Sequence, residues 1–308
     1  MAQSTTALRI GTRGSPLALA QTGMVRTRLA AALGCAEAAI AVQVIKTTGD
    51  VIQDRPLAEE GGKGLFAKEI EEALLKGTID LAVHSCKDLP AILPSGLVIA
   101  ACLEREDPRD VFIGREAKSL AALPQGARVG TTSPRRIALV KKLRPDVEIV
   151  PMRGNVETRL RKLGQSEADG IILALAGLKR LGMEKVATSV MSVDEFLPAA
   201  AQGAIAIEVR ADDMAIQKLL AQIDYADTSS AVAAERAFVA ALQGDCDSPI
   251  AAHAEIEGEA LSFRGLAATR DGAAIHDIAA TGRRADATKI GETAGHELKR
   301  RLGPDFFK

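Results

Sequence analysis

The chain has 308 residues, 47% of them hydrophobic, and a formal net charge of −1. That balance excludes a generally basic nucleic-acid binder, which relies on many distributed phosphate contacts, and an aromatic content of 3% with no Trp excludes base-stacking platforms. No run approaches the roughly 18 apolar residues that span a bilayer, and the start MAQSTTALRIGTRGS has no apolar signal core, so the sequence reads as a cytoplasmic protein of two or three domains.

Residues 8–10 read as a short strand, and Gly11-Thr12-Arg13-Gly14-Ser15-Pro16 leads into the helical pattern LALAQTGMVRTRLAAAL. Ser-Pro is a helix start, because the serine oxygen caps free amides and proline lacks an N–H where none is needed. Residues 40–45 alternate as a strand. From 46 to 64 there is no clear periodicity, and Gly61-Gly62-Lys63-Gly64 supplies backbone freedom, so a lid loop carrying Lys63 is expected. A phosphate-binding P-loop is the competing idea, but Lys63 is followed by Gly and the leading glycine spacing is wrong.

Residues 65–76 have helical spacing, and residues 79–84 form a buried strand ending in Ser85-Cys86-Lys87-Asp88-Leu89-Pro90. Lys87 and Asp88 sit side by side at a strand's carboxyl end, where an active carboxylate and an ordinary turn closed by Pro90 are both open. Adjacent residues on an extended chain point opposite ways unless the chain bends. His84 reads as a strand histidine, and no third or fourth ligand accompanies His84 and Cys86, so no metal is expected.

After a strand at 98–103, the charged EREDPRD reads as a crossover into a second domain. There the stretch GTTSPRRIALVKKLRPDVEIVPMRGNVETRLRK, residues 130–162, is strongly cationic in a near-neutral chain. Ser133-Pro134 starts a helix with Arg135 and Arg136 in its first turn, where cations oppose the helix dipole at roughly 0.3–1 kcal/mol each. An anion docked there reverses the sign. A strand over 147–152 follows, then Arg153, then Gly154-Asn155 opening a helix that carries Arg159. The Gly-Thr, Ser-Pro, apolar-helix pattern thus occurs twice, at 11–20 and 130–139, which predicts two domains of like topology. Arg180 follows the next strand, at 170–175. Leu197-Pro198-Ala199-Ala200-Ala201-Gln202-Gly203 is a hinge-like link to a strand at 204–209 that returns to the first sheet, and double connections make a hinge and a cleft.

Beyond Asp212, two helices, three alternating strands and a final helix read as a small α+β domain. Its loop Gly244-Asp245-Cys246-Asp247-Ser248-Pro249 centres a thiol among polar turn residues, where reactivity is the commoner reason for a cysteine. The flanking aspartates argue against a protease-type nucleophile and leave an attachment point. Cys35, Cys86 and Cys102 read as free thiols.

The segments GTRGSPLALAQ, GGKGLFAKEIEEALL, VHSCKDLP, EREDPRDVF, GTTSPRR, RGNVETRL, LALAGLKRLG, QGAIAIE and GDCDSPI, in this order, resemble the porphobilinogen deaminase (hydroxymethylbilane synthase) family. The resemblance implies an α/β fold: two periplasmic-binding-protein-like, doubly wound domains around a cleft, plus a small C-terminal α+β domain with an antiparallel sheet. The domains would be 1–103 with 204–222, then 108–198, then 226–308. It implies a transferase that condenses four porphobilinogen molecules onto a covalent dipyrromethane cofactor and then releases linear hydroxymethylbilane. Asp88 maps onto the catalytic aspartate and Cys246 onto the thioether cysteine. Ser85, Lys87, Ser133, Arg135, Arg136, Arg159 and Arg180 map onto cofactor-binding positions, and Arg13, Ser15, Gln21, Lys63 and Arg153 onto substrate-binding ones. Such an enzyme is expected to be monomeric, without metal, nucleic acid or membrane. Cys86 stands where Met is commoner, Pro134 where Leu is, and AAAQG where many members have AVGQG. A solute-binding protein would share the cleft without needing Asp88 or Cys246, and a phosphate-ester enzyme would need a metal-carboxylate cluster that is not seen.

Overall fold

A computed structural model describes residues 8–51, 66–244, 248–303 and 306–307. In chain order the first elements are β1 (Arg9–Thr12), α1 (Pro16–Leu33), β2 (Ala41–Val44), α2 (Thr48–Val51), α3 (Lys68–Leu75), β3 (Leu81–Ser85) and β4 (Leu97–Cys102). Next come β5 (Asp110–Gly114), β6 (Arg128–Gly130), α4 (Pro134–Leu143), β7 (Glu148–Val150), α5 (Val156–Gly164), β8 (Gly170–Ala174), α6 (Leu175–Arg180) and β9 (Ser189–Val190). The remainder is β10 (Ile205–Arg210), α7 (Met214–Leu220), α8 (Ala226–Ala241), β11 (Ile250–Glu257), β12 (Ala260–Ala268), β13 (Ile275–Arg283) and α9 (Ala287–Leu302).

The chain divides into two compact units. Unit one draws its described residues from Met1–Leu57, Gly64–Arg105 and Ala204–Ser229, and unit two from Glu106–Gly203 and Ser230–Lys308. Unit one holds a sheet of order β2-β1-β3-β10-β4, in which β1 runs parallel to β2 and β3 while β10 runs antiparallel to β3 and β4. Alternation along β3 divides its side chains between two layers. Leu81 and Val83 join Val25 and Leu29 of α1, whereas Ala82 joins Ile70 and Leu74 of α3.

Unit two repeats the plan with order β7-β6-β8-β5-β9, where β6 is parallel to β7 and β8, and β5 is antiparallel to β8 and β9. The repeated Gly-Thr, Ser-Pro signal therefore marks strands at equivalent sheet positions, β1 and β6, each leading into the first long helix of its sheet. The strand at the head of unit two, β5, comes from EREDPRDVF, whose charged half hides it; the chain changes unit within that run, after Arg105.

The small sheet β11-β12-β13 is an antiparallel meander under α8 and α9. Phe238 of α8 meets Phe263 of β12 with ring centroids 5.1 Å apart. The helices touch closely because position 291 is glycine: a Cβ there would lie 1.9 Å from the Ala234 carbonyl oxygen. Ala251, Leu266 and Ala268 reach past this sheet into the core of Phe112, Val129, Leu139 and Phe196, so the meander shares a core with the second sheet. Among the described residues no helix is long and apolar enough to cross a membrane.

Candidate active site

In unit one, β1 ends at Thr12 and Ser15 caps α1, its hydroxyl accepting the Ala18 N–H at 3.3 Å. The chain does bend after β3: Cys86 to Asp88 form one 3-10 turn, closed by Leu89 N–H donating to the Cys86 carbonyl at 3.2 Å. The bend leaves Asp88 exposed and Lys87 half-buried. Arg13, Ser15, Gln21, Phe66, Ser85 and Asp88 line one cavity of about 60 Å³. The buried Gln21 amide lies against the Ser85 hydroxyl, its nitrogen 2.9 Å from Oγ, which fixes both side chains. The Arg13 guanidinium stands 4.2 Å over the Phe66 ring, a contact that orients a cation without neutralising it. The geometry thus brings together Arg13, Ser15, Gln21, Ser85 and Asp88, and adds Phe66, which sequence reasoning missed.

His84 also lines this cavity, on the α3 side of the sheet. Its Nε2 faces Glu208 Oε2 at 3.1 Å without hydrogen-bond alignment, and both side chains are buried. Glu71 of α3 is buried as well, and burial, reinforced by Glu208, pushes its carboxyl up to about 7. The folded state therefore holds this proton more tightly than the unfolded chain. The stability it contributes is full below the ordinary glutamate range, near 4.5, and is lost as pH rises through 7. Glu71→Gln should equal the parent in thermal stability at pH 5 and exceed it at pH 8 by about 2–3 kcal/mol. Equal melting temperatures at pH 8 would show that Glu71 ionises without penalty.

In unit two the first-turn arginines have an internal partner. Arg135 and Arg136 are 4% and 6% exposed, and both close on the wholly buried Asp110 of β5. Arg135 Nη2 donates to Oδ2 at 2.7 Å and Arg136 Nη2 to Oδ1 at 2.6 Å. Further guanidinium bonds reach the Leu197 and Ile172 carbonyls at 2.7 and 2.8 Å. Burial pulls the Arg135 guanidinium down in pKa, and Asp110 opposes that. The expectation that their dipole cost requires an external anion is corrected: Asp110 is the anion. Two guanidiniums on one carboxylate still leave one net positive charge beneath the amino end of α4, where Ser133 accepts the Arg136 N–H at 3.5 Å.

Asn155 caps α5 by accepting the Thr158 N–H at 2.8 Å, and Arg159 Nε donates to the Gly154 carbonyl at 2.8 Å. Gly154 has φ +114°, where a Cβ would also strike Thr158 at 2.5 Å, so this turn requires glycine. Arg153 and Arg159 are half-buried beside it. Arg180, on α6, donates from Nη2 to the Gly203 carbonyl at 2.5 Å, while its Nε is buried with no hydrogen-bond partner. Burial lowers its pKa to about 10, so it remains a cation at neutral pH. It makes no ion pair among the described residues, and a carboxylate is one group that would satisfy this atom. The chemistry of the site fits a pyrrole carrying acetate and propionate arms.

Lys63 and Cys246 lie outside the described residues, as do residues 52–65 and 245–247 of the loops expected around them, whereas the start of the first loop is the short helix α2, Thr48–Val51. No group of three metal-ligating side chains occurs among the described ones. No disulfide joins the described cysteines, of which Cys86 and Cys102 are buried and Cys35 is exposed.

Two family models match in tandem: "Porphobilinogen deaminase, dipyromethane cofactor binding domain" over residues 8–218, and "Porphobilinogen deaminase, C-terminal domain" over 229–300. The chain belongs to the porphobilinogen deaminase family. A porphobilinogen deaminase from Nitrobacter winogradskyi is 55% identical over 298 residues, covering 97% of this chain and 94% of its own. Like its family, the chain is a transferase of tetrapyrrole biosynthesis that uses a dipyrromethane cofactor. Among solved structures, a Bacillus subtilis protein described as "a putative methionine-binding lipoprotein" is 15% identical with a TM-score of 0.44, over 70% of this chain and 89% of that one. An arginine-specific periplasmic binding protein from Salmonella typhimurium is 14% identical with a TM-score of 0.40, over 70% and 91%. The porphobilinogen deaminase fold is mixed α/β, with two five-stranded sheets and a small antiparallel one.

Proposed function

We propose that Asp88 carries the chemistry of porphobilinogen condensation in this chain and that Cys246 only tethers the cofactor. The observation that supports this most directly is an exposed carboxylate on a bent strand end, in a cavity whose only described cation is Arg13. Loss of ammonia from the aminomethyl arm of porphobilinogen leaves a delocalised cation. A carboxyl group beside it passes its proton to the leaving amine and so becomes the carboxylate that offsets the positive charge. Arg13, held over Phe66, with Ser15 and Gln21, suits one substrate carboxylate, and Arg153 suits another. Ser85, Lys87, Ser133, Arg159 and Arg180 would hold cofactor carboxylates, because planar guanidinium forks match them and the positive amino end of α4 favours anions. Arg135 and Arg136 act one step back, fixing that helix end through Asp110. The dipyrromethane, when bound, supplies the pyrrole carbon to which the first substrate unit is joined. Holding the chain covalently makes successive condensations intramolecular in effect.

The division into domains 1–103 with 204–222, 108–198, and 226–308 belongs to this proposal, as do a monomeric state, a cytoplasmic location and the absence of a nucleic-acid partner. The test is to make Asp88→Asn and Cys246→Ser in parallel. The first should retain cofactor and lose turnover; the second should carry no covalent cofactor.

A further inference from the structure

Three consecutive residues of the link between the sheets each bond to a different part of unit two. Ala201 N–H donates to Glu235 Oε2 of α8 at 2.5 Å. Gln202 Nε2 donates to the Pro108 carbonyl at 2.7 Å and to Asp110 Oδ1 at 3.2 Å. The Gly203 carbonyl accepts Arg180 Nη2 at 2.5 Å and the Glu106 N–H at 3.2 Å. The two residues before that carbonyl, Ala201 and Gln202, are 1% exposed.

Ala201 sits at φ +60°, a left-handed conformation that costs a non-glycine residue about 1–2 kcal/mol, so something must hold it there. Glu235 is the group in place to do so. It is wholly buried, and its other oxygen accepts the Ala254 N–H of β11 at 2.7 Å, with His253 Nδ1 at 3.6 Å. One carboxylate thus fixes the Ala201 peptide, α8 and β11 together. Two converging N–H groups explain why an acid stands here. A glutamine would offer a single oxygen and turn its amide hydrogens toward a second donor.

We propose that Glu235 is a positioning residue for the reaction: by fixing the Ala201 peptide it sets the Gly203 carbonyl that aims Arg180, and keeps Gln202 on the Asp110 hub of Arg135 and Arg136. This rests on Arg180 being a carboxylate ligand. Glu235 is wholly buried, so its action is through the groups it holds. Its effect passes through arginines more than twenty residues away in sequence, and α8 and β11, which it clamps, flank residues 245–247.

The test is a double-mutant cycle on kcat/KM for porphobilinogen, using Glu235→Gln, Arg180→Ala and the double variant of the whole chain, with melting temperatures measured alongside. Arg180→Ala should lower kcat/KM roughly 10- to 100-fold, the range of one charge-assisted hydrogen bond. Glu235→Gln should lower it roughly tenfold, chiefly through KM, and the double variant should fall within about twofold of Arg180→Ala alone, because both changes remove the same aimed cation. Multiplying effects, or a parental Glu235→Gln beside an impaired Arg180→Ala, overturn the positioning role and leave the carboxylate reading intact. A parental Arg180→Ala overturns the carboxylate reading itself. Should Glu235→Gln yield no folded protein, Glu235→Asp, which keeps the charge but draws the carboxylate back from the Ala201 N–H, takes its place in the cycle with the same expected coupling, and additivity there overturns the proposal.

Discussion

Asp88→Asn is expected to release ammonia from porphobilinogen roughly 10² to 10³ times more slowly than the parent, the scale for removing one preorganised electrostatic partner of a developing charge. Asparagine keeps the volume and one acceptor oxygen but has neither a proton to give the amine nor a charge to offset the cation that remains. Because Asp88 is exposed on the last residue of its turn, stability should hardly change, by about 0.5 kcal/mol at most. Rapid-quench measurement of ammonia released in a single turnover, on protein already carrying cofactor, separates this step from assembly and product release. Parental ammonia release would remove Asp88 from the chemistry.

Asp110→Asn should act in the opposite way, on the fold before the reaction. The parent pairs two guanidiniums with one carboxylate in a place where none of the three side chains is more than 7% exposed. Breaking a buried pair typically costs about 3–5 kcal/mol, since the remaining charge keeps its desolvation penalty without the attraction. Here two cations would be stranded together, so the melting temperature should fall by roughly 10 °C or more for a chain of this size. The same reasoning sets the sign for Arg136→Ala: removing this first-turn cation relieves a small dipole cost but deprives the buried Asp110 of a partner, and stability should drop. Thermal unfolding of both variants checks the pair; an Asp110→Asn protein as stable as the parent would mean that water or a neighbour compensates the arginines.

Local chemistry made much of the fold legible. Ser15-Pro16, Ser133-Pro134 and Asn155 start helices through short-range capping, and β10 returns to the first sheet as its apolar run after the link suggested, while its place between β3 and β4 was not legible. The position of Asp88 was legible too, since a buried run followed by Pro90 marks a strand end. Its bend was not, because a single 3-10 turn leaves no periodicity. The partner of Arg135 and Arg136 was hidden for a different reason. Asp110 lies 25 residues before Arg135 and inside a run of acids, and which acid turns inward depends on the register of β5 against β8. Its one local sign was the apolar Val111-Phe112-Ile113 immediately after it. The contact of Arg13 with Phe66 and the clamp of Glu235 on Ala201 likewise join distant segments, and no spacing rule connects them.

The division of labour between Asp88 and Cys246 is tested most directly by the denatured intact mass of the parent, Cys246→Ser and Asp88→Asn, each offered preassembled cofactor precursor and then unfolded in acid. Parent and Asp88→Asn should both carry a covalent increment of two pyrrole units, and Cys246→Ser none. A Cys246→Ser protein bearing that increment would place the tether on Cys35, Cys86 or Cys102 and contradict the assignment.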